Sequence, residues 1–293
     1  MQKQTKAYLL TLLAVTFWGT AASAFKIALQ YVTPYILLFY SALVSSVVLF
    51  AVLILQGKGA KLLTLGLRQV GRAALLGLVN PFFYYLVLFK AYSLLPGQIA
   101  MSINYGWPLA LTLLSVPILK QQLRRPQLIA IVVSFCGALV IATKGQFASF
   151  GGVSKLGLLL AFGSTIIWAT FWLINARDNE DPVIKLFLGF TFGVCYALLF
   201  SPFFGGIGLP EPRAFLPLVY IGLFEMGITF VFWLTALQLS STAAKVGNLI
   251  YISPFLSLIF LRLVIGEEIH VTTFIGLLLI IGSILYQGMA ADS

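Results

Sequence analysis

The chain has 293 residues, 60% of them hydrophobic and 9% charged, with a formal net charge of +10. Soluble domains carry charge at roughly a quarter of their positions, and a mean hydropathy of +1.03 leaves too little polar surface to cover a water-soluble globule. The 18 basic residues are scattered between apolar runs, which fits topogenic membrane charge and excludes nucleic acid as the partner.

A helix needs about 20 apolar residues to cross the hydrocarbon core. In chain order, runs bounded by charge, Pro or Gly predict spans near 7–28, 34–55, 72–94, 98–119 and 126–143, then 156–176, 182–203, 214–237, 242–264 and 271–290. The runs are continuously apolar at helix length and lack ten-residue alternation, so helices rather than a barrel are expected. The first run follows Lys3 and Lys6 and carries Ala22-Ser23-Ala24, which imitates a cleavage site. No secreted domain follows it, so it is read as a retained span.

Positive loops tend to stay cytoplasmic. With the N-terminus inside, Lys3, Lys6, Lys58, Lys61, Arg68, Arg72, Lys120, Arg124, Arg125, Arg177, Lys185 and Lys245 fall on the inner side, twelve of the 18 basic residues. Both termini are then cytoplasmic. Lys26 and Lys90 read as end charges reaching for the opposite interface.

The chain repeats itself. Trp18-Gly19-Thr20 recurs as Trp168-Ala169-Thr170, Tyr105-Gly106-Trp107-Pro108 as Tyr251-Ile252-Ser253-Pro254, and Asn80 falls near Glu225. Residues 1–143 form one half, 144–155 a Gly- and Ser-containing linker, and 156–293 the other. Five spans is an odd number, so the second half enters the membrane upside down. The expected fold is an all-α integral membrane protein of ten transmembrane helices, an inverted repeat of two five-helix halves, an architecture used by secondary transporters.

On these residues the chain resembles the EamA family of the drug/metabolite transporter superfamily, over nearly its whole length. Asn104-Tyr105-Gly106-Trp107-Pro108 is similar to the Asn-Tyr-x-Trp-Pro motif of that family's YddG-like aromatic amino acid exporters, and Trp168-Ala169 to a Trp-Ala in their sixth helix. The stretch Lys245 to Ser253 departs from the compact Gly-x-Tyr-x-x-Pro of the family, with Gly247 seven residues before Pro254. The resemblance implies export of aromatic and other large neutral amino acids from the bacterial inner membrane. It also implies substrate contact by Trp107, whose position two residues from Tyr105 otherwise points it away from that helix face.

Depth supplies an independent filter, since transporter sites lie near the bilayer midplane. Trp18, Tyr84, Tyr105, Trp168, Glu225 and Tyr251 lie near span centres, where Trp and Tyr are out of place unless they fill interhelical space or line a wet cavity. Met101, Asn104, Tyr105 and Pro108 share one helical face, and Asn248, Tyr251 and Phe255 form the matching stripe. Glu225 is the acidic residue at a span centre, with Thr229 and Phe232 continuing its face. It could hold a substrate ammonium, carry a proton, or be a neutral acid bonded to a neighbouring helix. The candidate substrate-binding set is therefore Trp18, Asn80, Tyr84, Asn104, Tyr105, Trp107, Trp168, Glu225, Thr229, Asn248 and Tyr251.

No cofactor or metal is expected. His270 is the single His, and Cys136 and Cys195 read as small hydrophobes that define no metal spacing. Gly189 and Gly193 form a GxxxG pattern that serves either close packing within a monomer, the reading adopted, or a dimer face. Two other functions fit less well. A multidrug or other metabolite carrier on the same scaffold would, for phosphate ligands, need cations at mid-depth. A membrane sensor or enzyme would need a signalling domain or catalytic constellation.

Overall fold

The computed structural model describes residues 3–119, 125–143, 152–175, 181–240 and 248–291. Among them every regular element is helical. In order these are α1 (Lys3–Ala28), α2 (Pro34–Leu55), the short α3 (Gly59–Leu62), α4 (Leu67–Gly77), α5 (Tyr84–Leu94), α6 (Gly97–Asn104), α7 (Trp107–Leu119) and α8 (Arg125–Thr143). Then come α9 (Lys155–Asn175), α10 (Pro182–Leu199), α11 (Pro212–Tyr220), α12 (Ile228–Leu239), α13 (Ser253–Phe260) and α14 (Val271–Ala291).

Seven helical stretches among the described residues are long and apolar enough to cross a membrane, and shorter apolar helices run over Leu128–Ile141, Leu249–Ile265 and Val271–Tyr286. Leu9, Val47, Phe135, Leu159 and Leu278 stand exposed, Val47 at 62% and Leu159 at 68%, a surface suited to lipid and not to water. Cys136 and Cys195 share that exposed apolar surface.

Several spans are broken at mid-length. Between α4 and α5, Leu78–Phe83 winds as a π-helical segment in which Asn80 leaves the helical region entirely, at φ −146° and ψ 119°. Pro81 explains the break, because it offers no N–H and its ring pushes the preceding residue out of the α region. Tyr105 and Gly106 form a turn between α6 and α7. Ile221–Glu225 is π-helical, and Met226 N–H bonds back to the Ile221 carbonyl at 3.0 Å. Gly227 closes this last break at φ −97° and ψ −94°; a Cβ there would stand 2.7 Å from the Gly222 carbonyl oxygen. Asn248–Ile252 winds as a 3-10 turn before α13. Irregular backbone at membrane depth is tolerated only where protein buries it or a cavity borders it.

Close helix contacts hold these breaks in place. Gly193 of α10 lies against the ring of Pro81, and Gly77 of α4 against the Gly189 backbone. The GxxxG face of α10 is thus spent inside the chain, packed on the α4–α5 kink. Gly137 of α8 and Gly276 of α14 likewise meet backbone to backbone. At one end of the bundle the Glu267 carboxylate accepts from the Gly97 and Gln98 amides (2.9 and 3.1 Å), capping α6, and the Gln98 side chain ties Glu268, His270 and Thr273. Lys26, at the end of α1, bonds to the end of a neighbouring helix. Its ammonium donates to the Tyr92 and Leu95 carbonyls, both at 3.1 Å, satisfying the end of α5.

Candidate functional site

The breaks at Tyr105, Glu225 and Asn248–Ile252 border a cavity of about 370 Å³. Its walls come from α1 (Trp18), α5 (Tyr84, Tyr85), α6 and the turn after it (Met101, Asn104, Tyr105), α7 (Trp107), α9 (Trp168, Trp172), the π-helical segment (Glu225) and α12 (Phe230, Trp233). The rings brace one another. Tyr84 stacks on Trp168 with centroids 4.5 Å apart, and Trp18 meets Phe230 and Trp233 edge-on at 6.0 and 5.8 Å. Such contacts fix ring orientation as well as adding burial.

The polar groups are few and mostly committed. Tyr84 OH donates to Asn104 Oδ1 at 3.2 Å, and Asn104 Nδ2 donates to Ser164 Oγ at 2.8 Å. Tyr105 OH donates to Ser253 Oγ at 2.7 Å, joining the two repeated Tyr-x-x-Pro motifs. Tyr85 OH donates to Glu225 Oε1 at 3.3 Å, while Glu225 Oε2 is buried with no partner among the described residues. Glu225 is the acidic residue in the described lining, and its open oxygen offers an acceptor to an ammonium.

Of the residues singled out in the sequence, Trp18, Tyr84, Asn104, Tyr105, Trp107, Trp168 and Glu225 come together here. Asn80 lies in a neighbouring cavity. Thr229 is fully buried and its hydroxyl donates to the Phe224 carbonyl that the π-turn frees, so it mends the backbone and is not among the lining residues. Tyr251 packs half-buried against the core, and Ile250 lines the cavity beside it. The side chain of Asn248 lies outside the described residues, as do Lys245 and Gly247.

Two departures have different causes. The face continuing from Glu225 was expected at Thr229 and Phe232, yet Phe230, Trp233 and Leu237 line the cavity, and Phe232 stacks on Phe17 instead, at 6.4 Å. Here the π-turn adds a residue's rotation, shifting the inward face by one position. Beyond Tyr105, Trp107 and Leu111 take the inward positions, in phase with Asn104 at i+3 and i+7 and not with Tyr105. Tyr85, Trp172 and Trp233 were missed in the sequence; Tyr85 and Trp172 adjoin or follow residues already marked, and only the fold turns them inward.

Apolar spans interrupted around a walled cavity define a multi-pass membrane protein with an internal cavity. The chain belongs to the EamA-like transporter family, whose profile matches residues 5–143 and 155–287. It is therefore a transporter, as expected, and not an enzyme. It is similar to the uncharacterized transporter YvbV of Bacillus subtilis, 25% identical over 288 residues (96% of this chain, 91% of that one). It is also similar to the aromatic amino acid exporter YddG of Ancylobacter novellus, 25% identical over 266 residues, 88% of each chain. A crystal structure with TM-score 0.68, covering 97% of this chain and 98% of its own at 22% identity, shares the fold.

Proposed function

We propose that the chain exports amino acids with aromatic or other large neutral side chains across the bacterial inner membrane by alternating access, working as a monomer with both termini cytoplasmic. The observation that carries this reading is the aromatic cavity with one buried, half-unpaired carboxylate. Rings of Trp168, Trp18 and Tyr84 suit an apolar side chain, and Glu225 Oε2 suits an ammonium. The likeness to an aromatic amino acid exporter supports the same substrate class. Two separate family matches and breaks at both members of the pairs Asn80/Glu225 and Tyr105/Tyr251 support the ten-span inverted repeat. The halves then rock about the midplane, and substrate shifts an existing equilibrium.

A second reading has its own observation. With Glu225 the charged residue in the described lining, a simple aromatic amine fits the cavity as well as an amino acid does. Proteoliposomes given labelled tryptophan, phenylalanine, methionine or threonine, with and without a pH gradient, are expected to take up at least the aromatic pair. Uptake of tryptamine with none of the four amino acids would overturn the substrate class and leave the carrier. Orientation has a separate test: a Cys at Lys61 should label only from the cytoplasm and one at Arg213 only from outside.

A further inference from the structure

A second cavity of about 280 Å³ lies beside the first, between the α4–α5 kink, α9, α10 and α12. Asn80 lines it, is 3% exposed, and has neither amide atom hydrogen-bonded among the described residues. Buried polar groups are nearly always paired, so an amide left open on both sides asks what completes it. Its position is set by the backbone: Pro81 forces Asn80 out of the helix, and Gly193 seats the proline ring. The amide is thus presented to the cavity without any side-chain bond holding it.

The two cavities share Trp172 and Phe230 as a wall but differ in character. Trp172 Nε1 is buried and unpaired, so this wall and Asn80 Nδ2 together offer more N–H donors than the single acceptor Asn80 Oδ1. Lys185 is the charged residue in the described lining, where the central cavity has Glu225. Phe171, Phe190 and Leu234 supply apolar surface. Donor-rich and apolar-walled, such a chamber recognises a carboxylate on an apolar body through the N–H groups of Asn80 and Trp172.

We propose that the Asn80 cavity is a second binding station, separate from the aromatic cavity, that takes the carboxylate end of an apolar acid. If the chain exports amino acids, this station is occupied in turn with the aromatic cavity, on the other side of the Trp172–Phe230 wall; binding of an acid, however, requires no transport, so the two ideas fail separately.

The test uses the purified full chain in detergent and equilibrium dialysis of labelled indole-3-propionate, which has an indole and a carboxylate but no amine. Saturable binding is expected, weakened roughly tenfold or more by Asn80→Asp, which keeps the volume and sets a carboxylate against the ligand. Gly189→Leu should weaken it as well, because Gly189 lines the cavity and a Cβ there meets nothing closer than the Asn80 carbonyl at 3.9 Å. Tyr105→Ala, in the other cavity, should leave it intact, and gel filtration of each variant checks folding. Competition by octanoate tells an aliphatic acid from an aromatic one. Absence of saturable binding, binding unaffected by Asn80→Asp and Gly189→Leu, or equal loss in Tyr105→Ala would each overturn the second station. Indole-3-propionate binding without tryptophan uptake would sink the amino acid reading and keep this one.

Discussion

The aromatic cavity and the Asn80 cavity lie either side of Trp172 and Phe230, yet they solve the placing of a polar group in a membrane differently. In the first, hydroxyls and amides pair with one another, as Tyr84 with Asn104 and Tyr105 with Ser253, leaving one carboxylate oxygen open. In the second, a proline kink holds an amide that pairs with nothing described. The difference teaches that side-chain networks make a rigid wall, while a backbone break can hold a polar group open without one.

That contrast can be broken at its supports. Because Gly193 touches the Pro81 ring and Gly189 has room, Gly193→Ala is expected to cost about 1–3 kcal/mol by overpacking. Gly189→Ala should be neutral or stabilising by up to about 1 kcal/mol. Thermal unfolding in detergent measures both, and equal melting temperatures would remove the kink from the account. Glu225→Gln should weaken tryptamine binding roughly tenfold or more, with indole-3-propionate unaffected, as read by the same dialysis; equal effects on both ligands would erase the charge difference between the cavities.

Tyr105→Phe removes the hydroxyl that donates to buried Ser253 and should cost about 1 kcal/mol. Ring contacts stay, so tryptamine affinity should change less than in Tyr105→Ala. The smallest effect belongs to the N-cap of α10, next to Pro182 of the Asn80 cavity. Burial raises the Asp181 carboxyl, but the Lys58 ion pair at 2.7 Å and the amides of Val183 and Ile184 outweigh it and hold it below its ordinary range. A depressed folded value means this stabilisation is present above the unfolded pKa and disappears as pH falls through the folded one. Asp181→Asn should flatten the acid limb of a melting-temperature profile by the equivalent of at most about 1 kcal/mol, and a variant profile parallel to the wild type would deny the pair any role.

Much of this was legible in the sequence because lipid imposes simple rules. Long apolar runs marked the helical stretches, seven of them long and apolar enough to cross a membrane, and Trp18, Tyr84, Tyr105 and Glu225 were conspicuous for sitting where Trp, Tyr and Glu are costly or unusual. What could not be read was helix phase beyond a break. A pattern at i, i+4 and i+7 assumes one continuous helix, and the π-turn at Ile221–Glu225 shifts it, so Thr229 left the cavity. Trp107 entered it in phase with Asn104, although its spacing from Tyr105 pointed away. Asn80 was marked as the repeat counterpart of Glu225, and the GxxxG of Gly189 and Gly193 pointed to close packing, but that the two meet at Pro81 to form a separate chamber is a tertiary fact.

The most direct measurement of the central claim, that Glu225 in the aromatic cavity holds the substrate ammonium, is labelled tryptophan flux into proteoliposomes bearing Glu225→Gln. Both gradient-driven uptake and gradient-free exchange should fall together, because each requires the same charge-assisted bond. Exchange at the wild-type rate would contradict the account, leaving Glu225 as a proton carrier or a structural acid and the substrate held elsewhere.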